Sequence, residues 1–210
     1  RHYIFSPPRF RKWKELDPKT GKPRGWATLT GKIELYSTVF EKLGLDPLPS
    51  HVEPGESPYS TPELAKEYPL ILTTGGRVKE FYHSEHRQVK TWRSRHPWPL
   101  LDIHPEKAFE LGISDGDWVY IETPTGKCRM KAHYDAGIIK DVVHAEHNWW
   151  YPESDMNWPY LGGAFDCNIN AVIPTNPDYF DEKSGAFPLR AVQCKVYKAK
   201  ESFQGQSRVP

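Results

Sequence analysis

The stretch WVYIETPTGKCRMKAH (118–133) decides the fold class of this chain, because it has the pattern of a β-hairpin. Residues 118–123 are rich in β-branched and aromatic side chains, which favour strands. Residues 124–126, Pro-Thr-Gly, have the composition of a tight turn, and residues 127–133 then alternate as a returning strand. The hairpin indicates antiparallel β structure in the middle of the chain.

Three more strands are predicted on either side of the hairpin. PLILTT (69–74) is a short apolar stretch that runs into two glycines, and DVVHAE (141–146) and RAVQCKVY (190–197) follow the hairpin. One helix is predicted over 104–112, with proline in its first turn and glycine at its end. Short strands joined by long connections, with one or two short helices, indicate a closed or partly closed β-barrel.

The rest of the chain is less regular. A second short helix is predicted over 32–43, where apolar residues recur at helical spacing and a glycine follows. Residues 46–67 contain proline-rich clusters and are predicted to be an extended linker. The predicted organisation is an irregular lead-in segment and linker at 1–67, a barrel domain at 68–198 and a tail at 199–210. Because the chain starts with arginine rather than methionine, we expect it to be part of a longer protein.

Length and composition exclude several classes of protein. The 210 residues are enough for a hydrophobic core without disulfides, and the 13% of aromatic residues oppose disorder. Lysine and arginine (28) nearly balance aspartate and glutamate (27), so no overall field attracts nucleic acid or an anionic membrane. No stretch approaches the roughly 18 apolar residues of a membrane span. The basic, aromatic run at 9–14 is interpreted as a solvated tail that packs one tryptophan, with a nucleic-acid-binding arm as the weaker alternative.

The cysteines and histidines predict neither a disulfide framework nor a metal centre. Cys128, Cys167 and Cys194 are an odd number without C-x-x-C spacing, and the first and last lie in strand-like stretches where buried thiols are common. HSEH (83–86) and HAEH (144–147) lack the pattern of a helical zinc-binding H-E-x-x-H motif. The sequence also has no P-loop and no nucleophile elbow, so neither catalytic residues nor metal ligands are predicted.

The strongest candidate for a binding site is the loop after the strand at 69–74. Gly75 and Gly76 expose successive backbone N–H groups without a Cβ, and Arg77 adds a guanidinium suited to bidentate contact with phosphate. His83 and Ser84 follow with further donors. From these residues alone, an anion-binding loop and an ordinary glycine turn before a solvated arginine are equal alternatives.

A series of short motifs favours the binding loop through a resemblance to a known family. TGGRVKEFYHS (74–84) resembles the T-G-R-x-x-x-x-x-H-[ST] segment in the C-terminal domain of the molybdopterin oxidoreductases, the dimethyl sulfoxide reductase family. Further motifs follow the order of that domain: GWATLTGKIELYS (25–37), DIHPEKA (102–108), DGDWV (115–119), PTG (124–126), HNWW (147–150), CNIN (167–170) and GAFPLR (185–190). No single motif is specific, but the series extends from residue 25 to residue 190 in register.

The resemblance implies a mainly β fold, the six-stranded double-psi β-barrel of the aspartate-decarboxylase-like type, that binds molybdopterin guanine dinucleotide. The residues that would line the dinucleotide and the pterin are Gly75, Gly76, Arg77, His83 and Ser84, with Thr74 shaping the loop. The candidates from later parts of the chain are Trp150, Asn168, Asn170 and Arg190. Of these, the resemblance makes Asn170 a hydrogen-bonding group on the opposite loop and Arg190 a basic contact.

The resemblance also implies that this chain is one part of a larger enzyme. It predicts the C-terminal domain of a molybdenum or tungsten oxidoreductase large subunit, an anaerobic dehydrogenase or reductase. In such an enzyme two copies of the cofactor, bis-molybdopterin guanine dinucleotide, hold the metal. The metal ligand and the cysteines of any N-terminal iron–sulfur cluster would lie upstream, so the isolated chain is not expected to be catalytic.

The predicted partners are the remaining domains of the same subunit and an iron–sulfur electron-transfer subunit. The sequence leaves cytoplasm and periplasm open as compartments. The alternative function is that of a non-enzymatic double-psi β-barrel that recognises other proteins, because a fold does not determine a function.

Overall fold

The computed structural model describes residues 10–181 and 183–200 of the chain. Six strands close into a β-barrel with the bounds β1 Leu70–Gly76, β2 Leu100–Ile103, β3 Trp118–Thr123, β4 Gly126–Tyr134, β5 Val142–Glu146 and β6 Val192–Lys198. The α-helices are short and comprise α1 Thr38–Lys42, α2 Pro62–Glu67, α3 Lys90–Arg93, α4 Pro105–Glu110 and α5 Ala164–Cys167. Turns of 3₁₀ helix occur at Lys12–Lys14, Leu161–Gly163, Ile169–Val172 and Pro177–Tyr179.

The strand directions give the barrel two distinct ends. The spatial order is β1-β5-β2-β4-β3-β6, and β6 pairs again with β1. The pairs β1–β5 and β2–β4 are parallel, and the other neighbouring pairs are antiparallel. β1, β3 and β5 therefore end where β2, β4 and β6 begin, which we call the upper end; the opposite end is the lower end. This closed barrel confirms the predicted fold class, and its pairing agrees with the double-psi label.

The interior of the barrel is apolar because side chains alternate along the strands. On β3, Val119 and Ile121 are fully buried, while the residues between them are only half-buried. Cys128 and Cys194 occupy core positions as free thiols, and burial raises the pKa of both well above that of an ordinary thiol. Their interpretation as small buried hydrophobic residues is confirmed.

The structure confirms the five strands predicted from sequence patterns and the helix predicted over 104–112. That helix, α4, follows its N-cap His104, whose Nδ1 accepts a hydrogen bond from the backbone N–H of Glu106 at 3.2 Å. The sequence pattern missed β2, because a strand of four residues is too short to show alternation. The sixth strand of the barrel was therefore expected only from the family resemblance.

Two expectations about the first third of the chain are wrong in part. The helix predicted over 32–43 is reduced to α1, because Ser37 caps the helix at that point by accepting a hydrogen bond from the Phe40 N–H at 3.2 Å. The predicted extended linker at 46–67 contains α2 at its end. The proline at the first position of α2 is favourable there, since that N–H has no partner within a helix.

The described residues divide into two compact units, with the boundary between Val52 and Glu53. In the first unit Trp13 stacks on Trp26 with ring centroids 4.8 Å apart, as expected for a basic run that packs one tryptophan. Arg9 of that run lies outside the described residues. None of the described residues before Val52 is buried.

The second unit contains the whole barrel. The domain bounds predicted at 1–67, 68–198 and 199–210 stay a prediction, and the tail from residue 201 onward lies outside the described residues. Within the described part of the chain, no helix combines the length and the apolar character needed to cross a bilayer.

Candidate functional site

The loop at the end of β1 depends on two glycines for two different reasons. The pairing of β1 with β5 shifts between Thr74 and Gly76, so Gly75 is the extra residue of a bulge. Gly75 has φ +97°, and no atom lies within 4 Å of the position a Cβ would take. At Gly76 a Cβ would lie 3.0 Å from Nε2 of His144 and 3.3 Å from the carbonyl oxygen of Ala145. Gly75 therefore supplies conformation and open surface, and Gly76 supplies close packing of the two strands.

Thr74 ties this loop to the segment that enters β6. Its backbone N–H and its Oγ1 both donate to the carbonyl oxygen of Leu189, at 3.1 and 2.8 Å. The side chain is buried, and its hydroxyl is engaged in this bond. The exposed Arg190 follows Leu189 directly. The same contact thus brings the start of β6 beside the end of β1.

An imidazole pair closes the other side of the loop. Nδ1 of His83 lies 3.0 Å from Nε2 of His147, and Nδ1 of His147 lies 2.7 Å from the carbonyl oxygen of Gly76. Trp150 donates its indole N–H to the carbonyl oxygen of Ser84 at 2.7 Å. These bonds hold residues 83–84 against the end of β5, and the predicted residues Gly76, His83, Ser84 and Trp150 are brought together.

A small pocket opens between the β1 loop and the imidazole pair. It has a volume of about 70 Å³, enough for a phosphate group or the edge of a ring rather than a whole dinucleotide. Its lining residues are Arg77, Val78, Phe81, Tyr82, His83, Arg87 and His147. Arg77 is exposed and makes no ion pair with another residue of the described part of the chain.

The floor of the pocket is a buried arginine on aromatic rings. Arg87 is only 1% exposed, and its Cζ lies 4.9 Å from the ring centroid of Phe81 and 4.6 Å from that of Trp149. Burial lowers the pKa of Arg87 to about 10, although the nearby carboxylate of Glu146 opposes this shift. The rings belong to a cluster of buried residues that also contains Tyr151 and Cys167.

A single carboxylate organises the end of β5 below the pocket. Glu146 accepts hydrogen bonds from the backbone N–H of Leu100 at 3.1 Å and from the indole N–H of Trp149 at 2.8 Å. It also pairs with Nε2 of His96 at 2.8 Å. Glu146 thereby fixes the orientation of Trp149, and the guanidinium of Arg87 packs on the Trp149 ring.

The two predicted asparagines lie at the hairpin between β3 and β4. Asn168 accepts a hydrogen bond from the backbone N–H of Asn170 at 3.1 Å and caps the 3₁₀ turn Ile169–Val172. This turn is fastened to the barrel by Thr123, whose hydroxyl donates to the carbonyl oxygen of Val172 at 2.7 Å. Asn170 is exposed, whereas Asn168 is half-buried and already used as a cap.

All ten predicted site residues lie at the upper end of the barrel, in two groups. Eight surround the β1 loop: Thr74, Gly75, Gly76, Arg77, His83, Ser84, Trp150 and Arg190. The other two, Asn168 and Asn170, bond to each other at the hairpin. The link between the groups is Cys167, which precedes Asn168 and packs in the buried cluster that contains Phe81.

Sequence reasoning missed Arg87, Glu146 and His147 as site residues. HAEH (144–147) was considered only as a metal motif, and in the structure its two histidines have different partners: His144 contacts Thr73 at 2.8 Å, and His147 contacts His83. Among the residues described, no group of three or more His, Cys, Asp or Glu could hold a metal ion. The available signal was a pair of polar residues directly after an apolar strand, at the end where the glycine loop also lies.

The chemistry of the upper end suits an anionic ligand with a polar aromatic part. Gly75 leaves open surface beside exposed backbone, and Arg77 and Arg190 supply positive charge. The imidazoles and Asn170 supply groups for the polar edges of ring systems. A dinucleotide carrying a diphosphate and heterocyclic rings therefore fits this set of donors and acceptors.

Comparisons with known proteins identify relatives of this chain. Residues 70–192 match the family described as "Molydopterin dinucleotide binding domain". The chain is 40% identical over 205 residues to dopamine dehydroxylase of Eggerthella lenta, which covers 91% of this chain and 19% of that protein. It is 38% identical over 177 residues to acetylene hydratase of Syntrophotalea acetylenica, which covers 83% of this chain and 24% of that protein.

A solved structure resembles the fold as well. Acetylene hydratase from Pelobacter acetylenicus matches with a TM-score of 0.79 and 35% identity, over 91% of this chain and 26% of that chain. The chain thus spans about a fifth to a quarter of the length of these relatives. The segment matched by the family begins with β1, ends with the first residue of β6 and contains all ten predicted site residues.

Proposed function

Because the chain belongs to the molybdopterin dinucleotide binding domain family, we propose that it is the C-terminal cofactor domain of a molybdenum or tungsten oxidoreductase. The observation that carries this proposal is the open glycine bulge of β1 beside the exposed Arg77 and the His83–His147 pair. These groups lie together within the segment matched by the family. The relatives are longer than this chain, so further domains accompany the homologous region in them.

Each part of the proposed ligand has candidate groups at the upper end. Arg77, Arg190 and the backbone N–H groups of Gly75 and Gly76 would bind the diphosphate. The ring edges would contact His83, Ser84, Trp150, Asn168 and Asn170. Thr74 would act indirectly, since its side chain holds the β6 entry in place. When bound, the metal–pterin group supplies the redox chemistry, and these residues bind and orient it.

The reaction of the parent enzyme is determined outside this chain. The relatives include a protein named for dehydroxylation and another named for hydration, although both share this region. We propose that the ligand is bis-molybdopterin guanine dinucleotide, and that an iron–sulfur cluster and an electron-transfer subunit belong to the parent enzyme. The isolated chain would then bind half of the cofactor and would not turn over a substrate.

A nuclear magnetic resonance titration with guanosine diphosphate tests the site, because this nucleotide represents one end of the cofactor. We expect shift changes confined to residues 75–84, Asn170 and Arg190. The variant Arg77→Met is expected to weaken binding by about tenfold, the value of one charge-assisted hydrogen bond. Arg24→Met, at an exposed arginine of the first unit, is the matched control.

Changes scattered over other surfaces would contradict the assignment of residues. The absence of any change at millimolar nucleotide would contradict a preformed nucleotide site. That result would favour the alternative of a protein-recognition barrel.

A further inference from the structure

The loop after β1 and the end of β5 are joined by a chain of three polar groups. The carbonyl oxygen of Gly76 lies 2.7 Å from Nδ1 of His147, and Nε2 of His147 lies 3.0 Å from Nδ1 of His83. A carbonyl oxygen can only accept, so Nδ1 of His147 carries the proton in the first contact. In a neutral His147 the other nitrogen is then an acceptor, and Nδ1 of His83 must donate to it.

These two hydrogen bonds also determine the tautomer of His83. When His83 is neutral, its one ring proton is on Nδ1, and Nε2 carries a lone pair. Nε2 has no hydrogen-bond partner in the described part of the chain, and His83 lines the pocket beside Arg77. The pocket therefore presents a hydrogen-bond acceptor at this position. Phosphate oxygens are acceptors themselves, so this nitrogen suits an N–H group instead.

Arg87 contacts the backbone carbonyl groups of both His83 and His147. Its Nη1 donates to the carbonyl oxygen of His83 at 2.7 Å, and its Nη2 lies 3.5 Å from the carbonyl oxygen of His147. His83 has φ +52°, a conformation that is uncommon outside glycine and needs support from its surroundings. Phe81 and Trp149 fix the guanidinium plane through their rings.

We propose that Arg87 is a positioning residue that holds His83 and His147 as a pair of Nδ1–H tautomers, so that Nε2 of His83 accepts a hydrogen bond from an N–H group of the ligand. The part of the ligand at His83 is then a heterocyclic ring edge, and the phosphates lie with Arg77. The role of Arg87 in fixing the tautomers concerns this chain alone. The contact between His83 and a ring edge of the ligand rests on the function proposed above.

The tautomer is measured directly on the chain labelled with ¹⁵N-histidine. At a pH above the ordinary histidine pKa of about 6.5, long-range ¹H–¹⁵N correlation spectra identify which ring nitrogen carries the proton. We expect both His83 and His147 to be protonated at Nδ1, whereas free histidine in solution exchanges between both forms. A proton on Nε2 of His83 would overturn the proposal.

Two variants separate positioning from general stability. Arg87→Met keeps an unbranched side chain between the rings but removes both donors, so His83 should lose its single tautomer. Arg93→Met is the matched control: Arg93 also lies over Trp149, at 5.3 Å, but donates to the carbonyl oxygen of Pro97 at 2.7 Å. It should leave the tautomers of His83 and His147 unchanged. Arg87→Lys, which retains a cationic donor group but not the planar fork that reaches two carbonyl oxygens, should restore part of the Nδ1–H population.

A third variant keeps the test decisive if Arg87→Met does not fold. His147→Ala removes the acceptor of His83 at a half-buried position without touching the aromatic cluster. His83 should then exchange between tautomers as in water. Retention of a pure Nδ1–H form in this variant would contradict the role of the pair.

Ligand probes test whether His83 contacts a ring edge of the ligand. Guanosine, which offers ring N–H groups without phosphate, should shift the Nε2 resonance of His83. Pyrophosphate should shift the guanidinium signals of Arg77 and Arg190 and the backbone N–H signals of Gly75 and Gly76, and leave Nε2 of His83 unchanged. A Nε2 response to pyrophosphate alone would overturn this assignment. If guanosine diphosphate shifts residues 75–84 but guanosine leaves Nε2 unchanged, the proposed function stands and the inference about the ring edge fails. If guanosine diphosphate binds nowhere, the proposed function fails, and the tautomer measurement still decides the role of Arg87.

Discussion

The two ends of the barrel treat their charges in opposite ways. At the lower end, Lys107 pairs with Glu110 at 2.7 Å and with Asp141 at 2.8 Å, and Lys140 pairs with Glu110 at 2.6 Å. These hydrogen bonds lower the pKa of Glu110 to about 2 and raise the pKa of both lysines. The charged side chains of this cluster at the lower end therefore neutralise one another.

Two arginines of the upper end keep their positive charge available. Arg77 and Arg190 are exposed, and neither forms an ion pair with another residue of the ranges 10–181 and 183–200. The carboxylate nearby, Glu146, is already used by His96, Leu100 and Trp149. The difference supports the proposal that an anionic ligand binds at the upper end, where two cations have no partner within the described residues.

The largest effect is expected from removing the aromatic support of the upper end. Trp149→Ala should reduce the free energy of unfolding by about 3–5 kcal/mol, because it empties a fully buried volume. It also removes the ring beneath Arg87. Chemical denaturation measures the loss, and Trp118→Ala, at a half-buried tryptophan that begins β3 at the lower end, should cost less. Equal losses would show that the two ends do not differ in packing.

A second experiment removes one positive charge at each end of the barrel. Arg77→Met should weaken guanosine diphosphate binding by about tenfold with little change in stability. Lys107→Met should lower the denaturation midpoint and leave nucleotide affinity unchanged, because its partners are all at the lower end. Titration calorimetry and denaturation of both variants provide the four values. A loss of affinity in Lys107→Met would break the comparison.

A third experiment uses two glycines of similar backbone geometry. Gly75 has φ +97° and Gly112, after α4, has φ +67°, and neither has an atom within 4 Å of a Cβ position. Gly75→Ala and Gly112→Ala should each cost about 1 kcal/mol through backbone strain. Only Gly75→Ala should also reduce nucleotide binding, because its methyl group enters the open surface of the β1 loop. If both variants bind equally well, the bulge is a structural turn and not a ligand surface.

The smallest effect is expected for the pH dependence of stability that the ion pairs of the lower end produce. The pKa of Glu110 is lowered in the folded chain from an ordinary 4.5 to about 2, so its contribution to stability is present above 4.5 and is lost as the pH falls through about 2. Thermal unfolding followed over this range should show a midpoint that falls more steeply in the natural chain than in Glu110→Gln. Identical slopes would remove Glu110 from the acid response.

Sequence patterns alone predict five of the six strands and the position of the glycine loop after β1. Alternating strands and the turn at 124–126 predict five strands, and Gly75, Gly76 and Arg77 mark the loop by composition alone. The remaining strand, β2, has no alternating pattern of its own. It forms because it pairs with β4 and β5. Local periodicity contains no information about such long-range pairs.

The supporting residues of the site could not be predicted for a related reason. Arg87 has the sequence context of a solvated loop residue, between two polar residues, yet it is among the most buried side chains of the chain. Its burial depends on Trp149, which lies far away along the chain and is oriented by Glu146. The motif resemblance brought in Asn168 and Asn170, but their mutual hydrogen bond and capping role emerge only in three dimensions.

The pairing of β1 with β6 has a consequence for how the chain reaches its fold. β1 is the first strand of the barrel to be synthesised and β6 the last, yet the two are neighbours, and Thr74 bonds to Leu189. On the ribosome, one edge of β1 stays unpaired until residues 192–194 have emerged, and such edges favour pairing with other chains. Contacts of this separation also slow folding. A nascent chain truncated before β6 would thus expose two open sheet edges, at β1 and β3.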